Sequence, residues 1–269
     1  MPSAAAIELN HVSYQPHELP VVFFGRRKPL AYVHNAKAAC TLALNFLFFA
    51  NHDYAYFEPD EIHSSKFAFF RLGPEYSPDQ VKAFNDLAPE TFSIVRDPLQ
   101  RFLSGFVSKI FSKYDANYSE LRDLLTSLHG IDLSPDADPA KSCLAFARVL
   151  GAQIDVNAID RHFRPQHLNL ASDGRFRVKT ILRLEDRGAV LDYFSKWLYP
   201  DHAQRLLSGQ IGATPGFARD KFISNELVDI VRMVYARDYE LFYDGPATGS
   251  AATPHNPSAR CGHRDRTSR

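Results

Sequence analysis

The chain has 269 residues, 45% hydrophobic and 23% charged, enough for one large core or two small ones and ordinary for a soluble globular protein. Lys plus Arg equals Asp plus Glu at 31 each, a balance that gives no case for nucleic acid or an acidic membrane surface as partner. Three widely spaced cysteines, Cys40, Cys143 and Cys261, argue against a disulfide framework and fit a reducing cytosol.

In chain order, the N-terminus lacks the basic and apolar regions of a secretory signal. Val21–Phe24 and Leu30–Val33 are short apolar runs; the second is expected as a strand, leading into a helix from Ala39 to Asn51. That helix is apolar on nearly all sides, as for one buried against a sheet. Its apolar run is about half the roughly 20 residues a membrane span needs, so no span is expected. Lys66–Leu72 reads as a further strand, and Ser77 with Pro78 and Asp79 as a helix start.

Thr91–Val95 is a short strand, after which Asp97 can cap and Pro98 can open a helix. Leu99, Phe102, Leu103, Phe106, Val107, Ile110 and Phe111 recur at three- and four-residue spacing, which predicts one amphipathic α-helix through Phe111. Further helices are expected near 118–128, 139–150, 186–197 and 224–240, with a strand over 176–184. Residues 246–269 are rich in Pro, Ser, Gly and Arg without periodic apolar positions and read as a disordered tail. Alternating strands and helices predict α/β architecture over residues 1–245: a single P-loop-like domain with a central, mostly parallel sheet flanked by helices.

Two strand–turn–helix junctions carry the chemistry. The first is Ala36-Lys37-Ala38-Ala39-Cys40-Thr41. A helix N-terminus offers unpaired N–H groups and the positive end of a dipole; Lys37 adds a charge, Thr41 a hydroxyl, and the small side chains let backbone approach a ligand. The Walker glycines are absent, which disfavours an ordinary ATP or GTP loop. The same residues also suit a solvated loop lysine before a core helix. The second junction runs from Arg96 to Ser104; Arg96 suits phosphate because its planar fork donates paired hydrogen bonds. Ser104 falls off the apolar stripe and groups with Arg101 and Ser108 on more polar faces. A strand-end arginine paired with Asp97 and an ordinary helix serine is the plainer alternative.

With both junctions in view, the sequence resembles the sulfotransferases that include the Golgi carbohydrate sulfotransferases, the family 2 type. Those enzymes pair a "PK-small-small-CT" loop with an "RDP-xx-R-xx-S" segment, as "AKAACT" and "VRDPLQRFLSGF" do here. Later, "DRHFRPQ" (160–166), "LRLED" (182–186) and "VYARDYELFYD" (234–244) resemble the family's "HWxPQ", leucine-glutamate and "YxxDYxLFxY" elements. Ala36 stands where the family usually has proline, Phe163 where it often has tryptophan, and the cysteines that many secretory relatives carry after "PQ" are missing. The resemblance implies a soluble, cytoplasmic and bacterial relative.

It also implies 3′-phosphoadenosine 5′-phosphosulfate (PAPS) as donor, with no metal, and a hydroxylated acceptor, a carbohydrate above all. By resemblance Lys37, Ala38, Ala39, Cys40 and Thr41 hold the 5′-phosphosulfate, and Arg96 and Ser104 the 3′-phosphate. Besides Lys37, the catalytic candidates are histidines able to take the acceptor's proton. His63, between the two nucleotide motifs, comes first, His162 second and Glu61 behind them; an exposed loop histidine is the plainer reading of His63. Cys40 lacks the arginine that a cysteine phosphatase would need and reads as a small apolar helix residue. Two other functions stay open: a non-catalytic nucleotide-binding protein of this fold and a P-loop kinase-like enzyme.

Overall fold

Leu30–Val33, the apolar run before the first junction, forms a strand buried along its whole length. The computed structural model describes residues 21–24, 27–52, 70–72, 77–87, 89–112, 115–152, 159–170, 178–208 and 219–244. His63, Glu61 and the expected tail lie outside the described residues.

Five strands form one sheet: β1 (Val22–Phe24), β2 (Leu30–Val33), β3 (Phe70–Leu72), β4 (Glu90–Val95) and β5 (Thr180–Arg183), in the order β3-β1-β2-β4-β5. β2 pairs parallel with β4, Tyr32 opposite Phe92, and β4 parallel with β5, Val95 opposite Arg183. β1 is antiparallel to both β2 and β3. The sheet is mostly parallel, as the alternating pattern predicts. Because β2, β4 and β5 run together, the turns after Val33, Val95 and Arg183 leave by one edge, where open α/β sheets present their binding crevices.

Ten α-helices complete the described chain: α1 (Cys40–Asn51), α2 (Pro78–Asp86), α3 (Pro98–Gly105), α4 (Ser119–His129), α5 (Pro139–Gly151), α6 (Gln166–Leu170), α7 (Arg187–Ser195), α8 (Pro200–Ser208), α9 (Asn225–Val234) and α10 (Ala236–Phe242). None is long and apolar enough to cross a membrane. Side-chain alternation in the strands sorts the core by face. Leu30, Tyr32, Phe92, Ile94 and Leu182 pack with α1, α7 and α8, where Phe46 stacks on Phe194 at 3.8 Å between ring centroids. Ala31, Val33 and Val95 face the other way, against Leu170 and Phe242. A second helical core joins α3, α4, α5 and α9 through Phe102, Phe106, Phe146 and Phe163.

Two expectations are revised. The helix expected through Phe111 is α-helical only to Gly105 and continues as a π-helical segment, Phe106–Phe111, closed by a bond from Ser112 N–H to the Val107 carbonyl at 2.9 Å. The apolar spacing fits either winding over so short a stretch, so the pattern alone misses the widening. The helix expected over 224–240 breaks at Tyr235, whose hydroxyl is drawn to the Phe163 carbonyl at 2.5 Å. α6 and α8 carry no expectation from the sequence; α6, at five residues, is too short to show a period.

Candidate functional site

The first junction obtains its curvature without glycine. Lys37 and Ala39 both adopt left-handed backbone, φ 63° and 59°. For residues with a Cβ such a conformation costs on the order of 1–3 kcal/mol, and it persists only where the surroundings impose it. Left-handed residues flanking an ordinary one are the alternation that turns successive N–H groups to one side, a concave anion-binding shape. Ala39 is the N-cap of α1 but offers no capping side chain, and the first helical turn holds no acidic residue. The positive end of α1 is therefore not neutralised from within.

The second junction differs. The Asp97 side chain accepts from Gln100 N–H at 2.9 Å, and Pro98 opens α3, as the sequence predicts. A carboxylate at the N-cap already answers the dipole of α3. Attraction for an anion here rests on side chains instead. Arg96 Nη1 lies 3.5 Å from the Lys37 carbonyl, bringing the two junctions together across 59 residues.

The first turns of α3 supply the wall between them. Arg101, expected on a polar face, is buried at 1% exposure. Its guanidinium donates to three carbonyls: Nε to Ala36 at 2.9 Å, Nη1 to Arg164 at 2.9 Å and Nη2 to Arg161 at 2.8 Å. At Arg101 the face that the sequence marks as polar is closed to solvent, because it meets loop carbonyls. Ser104, also buried, stands three residues after Arg101 and four before Ser108, which accepts from Lys37 Nζ at 2.7 Å. Residues at this spacing share a helix side, so Ser104 belongs to the face that contacts the first loop. At Gly105 a Cβ would fall 2.8 Å from the Phe163 ring, so glycine allows α3 to approach the 160–166 segment. Phe163, standing where the resemblance expects tryptophan, is a core residue, 4.8 Å from Phe146 between centroids.

That segment carries His162. Its Nδ1 lies 2.8 Å from Asp160 Oδ1 and 2.6 Å from the Tyr118 hydroxyl, which donates to Asp160 Oδ2 at 3.1 Å. A carboxylate opposite Nδ1 requires the proton on that nitrogen, since two lone pairs would repel; the network thus assigns the tautomer and leaves the Nε2 lone pair as the basic one. Burial lowers the His162 pKa to about 4, and nearby Lys109 and Arg161 reinforce the fall against the pull of Asp160. Burial also works to raise Asp160, but the hydrogen bonds from His162 and Tyr118 outweigh it and hold this carboxyl below its ordinary range.

Positive charge gathers around the loop. Lys37 is lowered to about 8, chiefly by burial; Cys40 opposes the fall, and Lys109, Arg96 and Arg101 each add a smaller repulsion. The three cations facing this buried lysine favour an anion beside it. Lys109, on the π-helical segment, bonds Asp115 at 2.5 Å and sits over the Tyr118 ring at 5.1 Å. Among the described residues no group of three or more His, Cys, Asp or Glu could hold a metal ion.

The structure thus brings Lys37, Ala38, Ala39, Cys40, Thr41, Arg96 and Ser104 to one edge of the sheet, with His162 on the segment that backs α3. His63, the first base candidate from sequence, lies outside the described residues. Sequence reasoning grouped Arg101 and Ser108 with Ser104 on polar faces but gave neither a role, and it missed Asp160 and Tyr118. A buried arginine in an apolar helix and an aspartate two residues before a histidine are the signals that point to two of them.

No curated protein and no solved structure matches the chain. A family model described as Sulfotransferase family matches residues 21–244, a span that contains both junctions and every later motif. The chain belongs to the sulfotransferase family, of the family 2 type.

Proposed function

We propose that this protein moves a sulfuryl group from PAPS to a hydroxyl of a carbohydrate or another hydroxylated small molecule. The observation that carries the reading is the meeting of two cationic junctions, Lys37 with an open helix N-terminus and Arg96 against the Lys37 carbonyl, at the ends of adjacent parallel strands. A donor with a phosphosulfate and a separate 3′-phosphate presents anions to both.

The chain's own groups then divide the work. Lys37 and the first-turn amides of α1 face the 5′ group, while Arg96 and Ser104 hold the 3′-phosphate. As a new S–O bond forms to the acceptor, the S–O bond to the donor phosphate breaks and its electron pair stays on the phosphate oxygen. Lys37 and the amides stabilise that charge, the dominant contribution in a loose in-line transfer. The acceptor proton goes to a base. His162 is the described candidate: Asp160 and Tyr118 fix its tautomer, and its imidazole is neutral at pH 7. The anionic donor, once bound, opposes the cations that lower it and so strengthens it as a base.

A thermal-shift comparison tests the donor class, because a ligand that binds only the folded protein raises its melting temperature by mass action. Adenosine 3′,5′-bisphosphate is expected to raise it well above ATP or adenosine 5′-monophosphate. Preference for ATP with Mg²⁺ would instead make this a kinase-like enzyme. Labelled-sulfate transfer from PAPS to a panel of sugars then identifies the acceptor; binding with no transfer to any hydroxyl would point to a non-catalytic relative.

A further inference from the structure

The later motifs converge on the backbone of the second junction. Gln166 is fully buried, and its side-chain amide pairs with the Arg96 peptide at both ends: Arg96 N–H donates to Oε1 at 2.9 Å and Nε2 donates to the Arg96 carbonyl at 2.8 Å. The same Oε1 accepts from Asn35 Nδ2 at 3.0 Å, and Asn35 stands two residues before Lys37. Asn35 Nδ2 also donates to the Ile94 carbonyl at 3.0 Å. One amide oxygen is thus shared between the two anion-binding junctions.

The position of Gln166 is itself fixed. Its N–H donates to Oδ2 of Asp238, a carboxylate of α10 with no exposure, at 2.7 Å; His167 N–H donates to the other oxygen at 2.9 Å. Glu185 secures the next peptide, accepting Asp97 N–H at 2.9 Å, and Tyr243 donates to Glu185 at 3.2 Å. These bonds matter because the register between β2 and β4 ends at Tyr32 opposite Phe92. Beyond it no ladder sets the distance between the loops, and the Gln166 amide continues the pairing in place of a strand.

We propose that Gln166 is a positioning residue that sets the spacing of the two junctions and so makes the site selective for nucleotides with two separated anionic groups. The inference rests on the two-junction reading under Proposed function. Two weak anion sites held at a fixed distance act as one chelating site; if the spacing is loose, the second contact loses its advantage while the first is unaffected.

The experiment measures the affinity of the full chain for adenosine 3′,5′-bisphosphate and adenosine 5′-monophosphate, with Gln166→Met as the variant. The parent is expected to prefer the bisphosphate, and Gln166→Met to lower that preference by about tenfold or more through the bisphosphate alone. Asn35→Ala, which removes one donor to the shared oxygen and leaves Arg96 paired, is read by the same ratio and is expected to lower it too. An unchanged ratio, or equal weakening of both nucleotides as from a general structural defect, overturns the inference. A parent without preference overturns the two-junction reading itself, and the inference with it.

Discussion

Lys37 Nζ donates to Ser108 Oγ at 2.7 Å, across 71 residues of sequence. The acceptor lies in the π-helical continuation of α3, so the widened turn meets the loop lysine and holds its ammonium among other cations. Two consequences follow for Lys37, one for binding and one for stability.

In the free protein Lys37 loses its proton near pH 8. A bound phosphate raises that pKa, so affinity for adenosine 3′,5′-bisphosphate changes little between pH 7 and 8 and declines above it. Calorimetry at pH 7 and pH 9 should show about a tenfold loss, because roughly nine-tenths of the free protein then lacks the proton. Lys37→Met should bind weakly at both values. A parent with equal affinity at pH 7 and 9 would show that Lys37 does not face the anion.

The same lysine burdens the fold. Its pKa falls from 10.5 in the unfolded chain to about 8 in the folded one, so protonation favours the unfolded state. The penalty is complete below pH 8 and vanishes as pH rises to 10.5. Lys37→Met should stabilise the protein at pH 7 by on the order of 2 kcal/mol, allowing for the lost Ser108 bond, and by much less at pH 10. Chemical denaturation at the two pH values reads the difference directly.

Arg96→Ala should weaken adenosine 3′,5′-bisphosphate about 10- to 150-fold, the range for one charge-assisted contact worth roughly 1.5–3 kcal/mol. Adenosine 5′-monophosphate should change little. Equal affinity of parent and variant for the bisphosphate would remove Arg96 from the 3′-phosphate.

Arg101 should matter to the fold instead. Its guanidinium donates to the carbonyls of Ala36, Arg161 and Arg164, of which Arg161 keeps Asn169 Nδ2 at 3.0 Å, so Arg101→Ala removes three buried-arginine bonds and should cost about 3 kcal/mol or more. Arg101→Lys should not rescue it, because one ammonium cannot reproduce the planar fork. Urea midpoints decide; a lysine variant as stable as the parent contradicts the tie.

His162 offers a combined test. His162→Gln should lower the transfer rate by about 10²–10⁴, the usual contribution of a positioned base. Asp160→Asn should lower it as well by releasing the tautomer. The unfolded histidine takes its proton near 6.5, the folded one only near 4, so acid favours unfolding. Parent stability should fall by roughly 3 kcal/mol between pH 6.5 and 4, and His162→Gln should lack that part of the slope. If the two proteins share one acid profile, His162 is not held neutral.

Much of the frame can be read from residue order. The apolar run of β2, the all-round apolar α1 and the Asp97–Pro98 start of α3 depend on local chemistry, and the folded chain keeps all three. What escapes is decided by distant partners. Arg101 reads as solvent-facing because a polar residue off an apolar stripe usually is; only the carbonyls of 161–164 make that face an interior one. Gln166 reads as one letter of a motif until Arg96, Asn35 and Asp238 are seen around it. Tyr235, where the last long helix breaks, bonds Phe163, 72 residues earlier.

A glycine at position 37 or 39 would let the first loop sample both hands of the backbone, and each arriving ligand would have to freeze it. Lysine and alanine have far fewer places to go, and the folded core holds them in the left-handed well. The conformational entropy of recognition is therefore surrendered once, when the chain folds, rather than at every encounter. The loop behaves as a rigid mould, and replacing Ala39 with glycine would turn part of it into a hinge.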